Sequence, residues 1–348
     1  LAKPKSSKTR IVVSSDSLPP IWHRSAKKGF PSFYETTHYL ERGDVTQKGE
    51  VAKPGFPQVL LRTKATQNLL PDAANPRKAL ASWLTDLEGG AGSLLARVFV
   101  NRVWHYHFGR GLVATPSDFG KQGGDPSHPD LLEWLAHDFV SHSWDVKRLQ
   151  KEIMTSAVYR QSSEFDPTKS TIDVGNTLLW RFSPRRVEAE VVRDSLLHVS
   201  GLLDPNQFGP GTRNPDMNRR SIYFFIKRSA LIPEMTLFDW PEHLVGIGQR
   251  ASTTIAPQAL QFLNSPQTRK YAEAFAHRLN KGGDTEALIK QAYQIALSRF
   301  PDTDEKTIGI EFIETQQMAY REQGCDPNQA FVDYCQSLLS LNEFLYIR

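Results

Sequence analysis

The groups best suited to chemistry gather between Leu94 and Gly120, LLARVFVNRVWHYHFGRGLVATPSDFG, where Asn101, Arg102, His105, His107, Arg110 and Asp118 share one stretch. Imidazole beside carboxylate can move protons or hold a metal ion. On a helix, however, His105 and His107 lie about 200° apart and cannot both face one ion unless the helix has unwound. The spacing points to a hydrogen-bonded cluster, and no metal ligand is assigned. His105 shares a face with Asn101 and Arg102, one turn earlier, and Arg102 and Arg110 have the shape to hold a carboxylate, internal or from a ligand.

A second group is RRVEAE, residues 185–190. Read as part of a helix opening at Ser183-Pro184, it sets Arg185 beside Glu188 at i+3 and Arg186 beside Glu190 at i+4, so the pairs can bridge on one face. Glycoside hydrolysis needs two carboxylates across a cleft. Asp118, Glu188 and Glu190 supply the type, although the many arginines nearby make them salt-bridge partners first. The catalytic candidates are thus Asn101, Arg102, His105, Asp118 and Glu188. The ligand-binding candidates are Arg110, Arg185 and Arg186, together with Trp22 and Trp240. Those two of the seven tryptophans lie in Pro-rich irregular segments and are expected to be exposed, as sugar-stacking faces are. The patterns GxSxG, Walker A, GxGxxG and HExxH do not occur, so serine hydrolase, P-loop, dinucleotide and zincin chemistries lack their anchors.

These groups must be positioned mostly by helices. Residues 1–70 are rich in Pro, Gly, Thr and Ser, lack a 3.6-residue period and hold two strand-like runs, Arg10–Val13 and Thr37–Arg42, the second stopping at the Gly43-Asp44 turn signal. From Pro71 the pattern turns helical. Asn75-Pro76 reads as cap and first turn, and a Gly-Gly-Ala-Gly break covers 89–92. An amphipathic helix then runs from Ser93 to Phe108, with Leu95, Phe99 and Val103 as its apolar line and Gly109 and Gly111 as its end. Ser127 and Asp145 read as caps of the next two helices, and Gly201 as a left-handed stop for the helix that carries RRVEAE. Ser221–Lys227 is aromatic and β-branched and reads as a strand able to pair with an N-terminal run. Helical spacing returns from Pro257, with Ser265 as a cap, and continues to Phe344. The implied architecture is mainly α with a small β component: two helical bundles plus an extended N-terminal arm. Its segments are 1–70, the arm; 71–201, the first bundle; 202–255, loop and β; and 256–348, the second bundle.

The 348 residues, 39% hydrophobic, can bury one large core or two ordinary ones. A formal charge of +4, with basic residues scattered apart from a cluster at Lys3, Lys5, Lys8 and Arg10, is poor support for nucleic acid. No apolar run reaches the roughly 18–20 residues of a membrane span. Cys325 and Cys335 are the only cysteines, which excludes a thiolate zinc site and leaves two free thiols or one disulfide. Without CxxCH the chain attaches no haem covalently. A start at Leu1 without a leader is expected of a processed product or a fragment.

Taken together, THYLERGD at 37–44, KGEVAKPGFPQVL at 48–60, RKALASWLTD at 77–86, the 94–120 stretch, SHPDLLEWLAHDFV at 127–140, TSAVYRQSS at 155–163, RRVEAE, RRSIYFFIKRS at 219–229 and LNEFLYI at 341–347 resemble the DUF1553 family, also called PSD1, found mainly in planctomycete-type bacteria. The chain departs from the family pattern at Tyr106, where relatives tend to carry histidine. The resemblance implies the C-terminal part of a longer exported protein, periplasmic or at the cell surface. DUF1549 and cytochrome c-like regions of the same precursor or complex become expected partners, with haem on that separate domain or partner. An exported origin in turn favours a disulfide between Cys325 and Cys335. The function implied first is an accessory binding or assembly module tied to polysaccharide processing. Behind it stand an enzyme acting oxidatively or hydrolytically on a polysaccharide and a scaffold of a cell-surface complex.

Overall fold

The computed structural model describes residues 38–44, 46–52, 55–57, 60, 76–227, 229–241, 246–279 and 284–347. Most of the 1–70 arm lies outside them, as does Trp22. The described chain is mainly helical with a small β component. In order, the helices are α1 (Pro76–Thr85), α2 (Gly92–Phe108), α3 (Pro129–Ser141), α4 (Val146–Thr155), α5 (Pro167–Ile172), α6 (Ala189–Ser200), α7 (Pro233–Leu237), α8 (Ala256–Asn264), α9 (Pro266–Leu279), α10 (Thr285–Leu297), α11 (Thr303–Glu322), α12 (Gln329–Leu339) and α13 (Asn342–Leu345). Four short strands, β1 (His38–Leu40), β2 (Lys48–Val51), β3 (Arg185–Arg186) and β4 (Tyr346–Ile347), form two antiparallel pairs, β1 with β2 and β3 with β4. Among the described residues no helix is long and apolar enough to cross a membrane.

The chain divides into two compact units. The first takes the described residues up to Trp104 together with His128–Glu152; the second takes His105–Ser127 and the residues from Ile153 onward.

In the first unit, α3 buries Leu132, Leu135, Ala136 and Phe139 at helical spacing. The Asp145 carboxylate caps α4 by accepting from Lys147 N at 3.0 Å and Arg148 N at 3.1 Å. His128, not Ser127, occupies the N-cap of α3. Along α2 the fully buried line is Ala96, Val100 and Trp104, with Asn101 beside it, whereas Leu95, Phe99 and Val103 are only half-buried. The helix is apolar over most of its circumference, so several lines satisfy the same period and the sequence alone does not select among them. Phe99 stacks on Phe139 with centroids 5.0 Å apart. The Gly-rich break before α2 is a tight backbone approach: a Cβ on Gly90 would stand 2.2 Å from the Trp83 carbonyl oxygen, which only glycine avoids.

In the second unit, α6 packs against α9, α9 against α12 and α12 against α11. Leu197, Met235, Phe262, Phe275, Leu279, Ile289 and Leu339 form the centre of the core. Helix α6 ends at Gly201 with φ +78°, as its sequence implies, but it starts at Ala189. Residues 185 and 186 are not its first turn. They form β3, paired Arg185 to Ile347 and Arg186 to Tyr346, and Val187 N donates to Leu345 O at 2.9 Å. A partner distant in sequence thus captures backbone groups that a helix would have used locally. The 221–227 segment also departs from expectation. Ser221–Tyr223 is a 3-10 turn, and its neighbour Phe224 bridges Thr212 rather than an N-terminal strand. The turn is fixed by Asp194 of α6, whose carboxylate accepts from Ser221 N and Ser221 Oγ, both at 2.7 Å.

Candidate functional site

Four pieces of the second unit meet at one cavity: the last turn of α2 with Gly109, strand β3, the N-terminus of α6, and the segment following α7. The cavity measures about 330 Å³ and is lined by His105, Tyr106, Arg185, Arg186, Glu188 and Arg250, among others. Each piece is held by a feature of the local sequence. Gly109, at φ +81°, ends α2 and lets the Arg185 stem pass close, since a Cβ there would lie 3.2 Å from Arg185 Cδ. Pairing with β4 fixes β3. The segment after α7 is tied down by Trp240 N donating to Met235 O at 3.0 Å and by Asp239 in a left-handed conformation at φ +63°.

The charges around the cavity are paired, but not as helical spacing implies. Arg186, with a side chain only 5% exposed, donates from Nη2 to Oδ2 of Asp239 and stacks its guanidinium over Phe238 at 5.5 Å. Asp239 also accepts from Thr253 N and Thr253 Oγ1, both at 2.8 Å. Arg250 donates from Nη1 to Glu190 at 2.6 Å and lies 3.3 Å from Glu188. Burial pushes the Glu190 carboxyl upward, but the Arg250 hydrogen bond, a backbone N–H, the Arg250 charge and the Trp240 indole together leave it below the usual carboxylate value. The expected pairs Arg185–Glu188 and Arg186–Glu190 are therefore replaced by longer-range ones, because residues 185 and 186 lie on a strand and not on the helix of Glu190.

Arg185 stands apart. Burial lowers its pKa, with Tyr159 and Glu188 acting the other way. Its Nε, and Nε and Nη1 of Arg186, are buried and find no acceptor among the described residues. A donor left so costs about 1–3 kcal/mol, more when charged.

The remaining candidates are dispersed. Asn101 is fully buried in α2 within the first unit, where Arg102 is exposed. His107 packs edge-on against Tyr159 at 5.8 Å rather than lining the cavity with His105. Asp118 builds a turn: Oδ1 accepts from Gly120 N and its carbonyl accepts from Thr115 Oγ1, both at 2.8 Å. Arg110 is exposed and reaches Thr177 Oγ1 at 3.3 Å. Trp240 is a correction to the expected exposed stacking face: it is 8% exposed and its indole donates to Glu190 Oε1 at 3.0 Å. Among the described residues, no three His, Cys, Asp or Glu side chains gather as a metal-ligand set.

Sequence reasoning brings His105, Arg185, Arg186 and Glu188 to the site and misses Asp239 and Arg250. Both lie in the 202–255 segment that reads as loop and β, where no helical period places a residue. The only signal was the surplus of arginine around RRVEAE, which needs acids from elsewhere. No curated protein and no solved structure matches the chain. The model of the PSD1 family, a protein of unknown function (DUF1553), matches residues 76–313, more than half of the sequence, and the chain belongs to that family.

Proposed function

We propose that the chain is an accessory binding and assembly module of an exported, haem-linked multidomain protein tied to polysaccharide processing, and that the arginine-lined cavity is its binding site. Haem, in this reading, resides on a cytochrome c-like domain or partner, beside a DUF1549 region. The observation that carries it is the engagement of the acids around the cavity. A general acid or base must be able to gain and lose a proton during reaction. Asp239 is held by Arg186 and Thr253, Glu190 by Arg250 and Trp240, and Glu188 by Arg250. The Arg185 guanidinium, in contrast, lines the cavity with no ion-pair partner among the described residues, which leaves it for a ligand.

Acidic and neutral polysaccharides embedded in native gels test the proposal. Retarded migration of the chain, with neither new reducing ends nor oxidised products, is the expected result. The haem-bearing partner should co-elute from native extract. Product formation that disappears in Glu188→Gln, the most exposed of these carboxylates at 44%, would overturn the module in favour of the enzyme.

A further inference from the structure

Resting on that reading, we infer that the cavity takes a sugar-sized monocarboxylate of the hexuronate type, with Arg185 as the group that receives the carboxylate. Its basis is an arginine on the cavity wall that no acid of the chain holds. Arg185 and Arg186 both line the cavity, but Arg186 is 5% exposed and held by Asp239, whereas Arg185 makes no ion pair among the described residues. A carboxylate brings two oxygens with about four acceptor sites in a plane that matches a guanidinium edge.

Charge selects the kind of anion. Arg186 pairs with Asp239 and Arg250 with both Glu188 and Glu190, so every one of these acids has an arginine contact that excludes Arg185. Arg185 is thus the one guanidinium of the three with no ion-pair partner among the described residues. One added negative charge answers it. A phosphate dianion adds a second within reach of the Glu188 carboxylate, which already acts electrostatically on Arg185. Volume sets the size: about 330 Å³ lies at the small end of the about 300–1,000 Å³ range of organic-ligand pockets. The hydroxyls of such a ring find polar neighbours in His105, Tyr106 and Ser252, which line the same cavity.

Isothermal titration of the full chain with D-glucuronate, D-glucose and glucose 6-phosphate tests this. Glucuronate is expected to bind saturably, glucose not measurably, and glucose 6-phosphate about tenfold or more below glucuronate. Arg185→Gln should weaken glucuronate by about a hundredfold, as loss of one member of a desolvated charged contact does. It should also melt at or above the wild-type temperature, because it removes a charge whose burial outweighs the pull of Glu188 and that no acid holds as an ion pair. A purely structural arginine would instead lower the melting temperature. Should Arg185→Gln fail to fold, that outcome itself overturns the assignment. Arg185→Lys supplies the second readout: it keeps the charge, loses the planar fork, and should lose most of the affinity. Full affinity in Arg185→Lys, equal binding of glucose, or tighter binding of glucose 6-phosphate each overturns the carboxylate. Polysaccharide retention that ignores Arg185→Gln leaves the module standing and removes only this pocket, whereas turnover of a polysaccharide removes the module whatever Arg185 does.

Discussion

Burying the Arg186 guanidinium beside Asp239, 5% and 14% exposed, costs on the order of several kcal/mol per ion before the pair forms. Removing one partner leaves that cost uncompensated. Asp239→Ala should therefore destabilise the chain by about 3–5 kcal/mol in urea unfolding, whereas Arg186→Met combined with Asp239→Leu should recover much of the loss. A double-mutant result no better than Asp239→Ala would show that Asp239 acts through its Thr253 bonds instead. Glu190 carries the pH dependence. Its folded carboxyl titrates below the ordinary 4.5, so the unfolded chain takes up the proton first as pH falls. The stability due to Glu190 is complete above that ordinary value and is lost on acidification through the folded value. In Glu190→Gln this part of the acid-induced loss should vanish from unfolding curves taken at successive pH values. At this scale the sequence identifies the right kinds of residue in RRVEAE. It cannot identify their partners, because Asp239 and Arg250 are about 50 and 60 positions away from the groups they bind and no period connects them.

Elements with strong local determinants are legible. Asp145 caps α4, Ser265 Oγ accepts from Gln267 N at 3.2 Å at the start of α9, and Gly201 closes α6, each a feature decided within a few residues. The two misread segments are decided by distant groups: β3 by the chain's last residues and the 221–223 turn by Asp194. Strand-like composition at 221–227 describes side chains that pack well on a pleated surface, but the backbone follows whichever partner is present. The consequence for the site is that Arg185 and Arg186 depend on β4. Truncation after Leu345 removes Tyr346 and Ile347 but retains the Leu345 carbonyl that binds Val187 N. Helix content measured by circular dichroism should be unchanged. Hydrogen exchange at residue 185, which forms the hydrogen-bonded type of pair with Ile347, should accelerate by about tenfold or more as the strand opens locally. Unchanged exchange there would mean that the cavity walls, and not β4, hold β3.

For the whole molecule, the mainly helical architecture follows from repeated 3.6-residue spacing over most of the chain, and the family motifs fall across both compact units. What composition left open was the redox state of its two cysteines, and packing answers it. Cys335 sits in α12 with no exposed surface, inside the core formed with Phe275, Ile289 and Leu339, and burial pushes its thiol well above the ordinary range. Cys325 is exposed in the turn after α11 and is also a free thiol. The disulfide implied by an exported origin is therefore not formed, and the core around Cys335 is built from side-chain packing without that crosslink. A thiolate is the reactive species, so the two residues should differ sharply towards an aromatic disulfide reagent. Native protein at neutral pH should release one equivalent of chromophore promptly, through Cys325. The second should appear only at the rate of global unfolding, and at once in concentrated urea. Cys325→Ser should abolish the fast equivalent alone. Two fast equivalents would show that α12 opens locally, while none before reduction would restore the disulfide and require α12 to move its buried face toward Cys325.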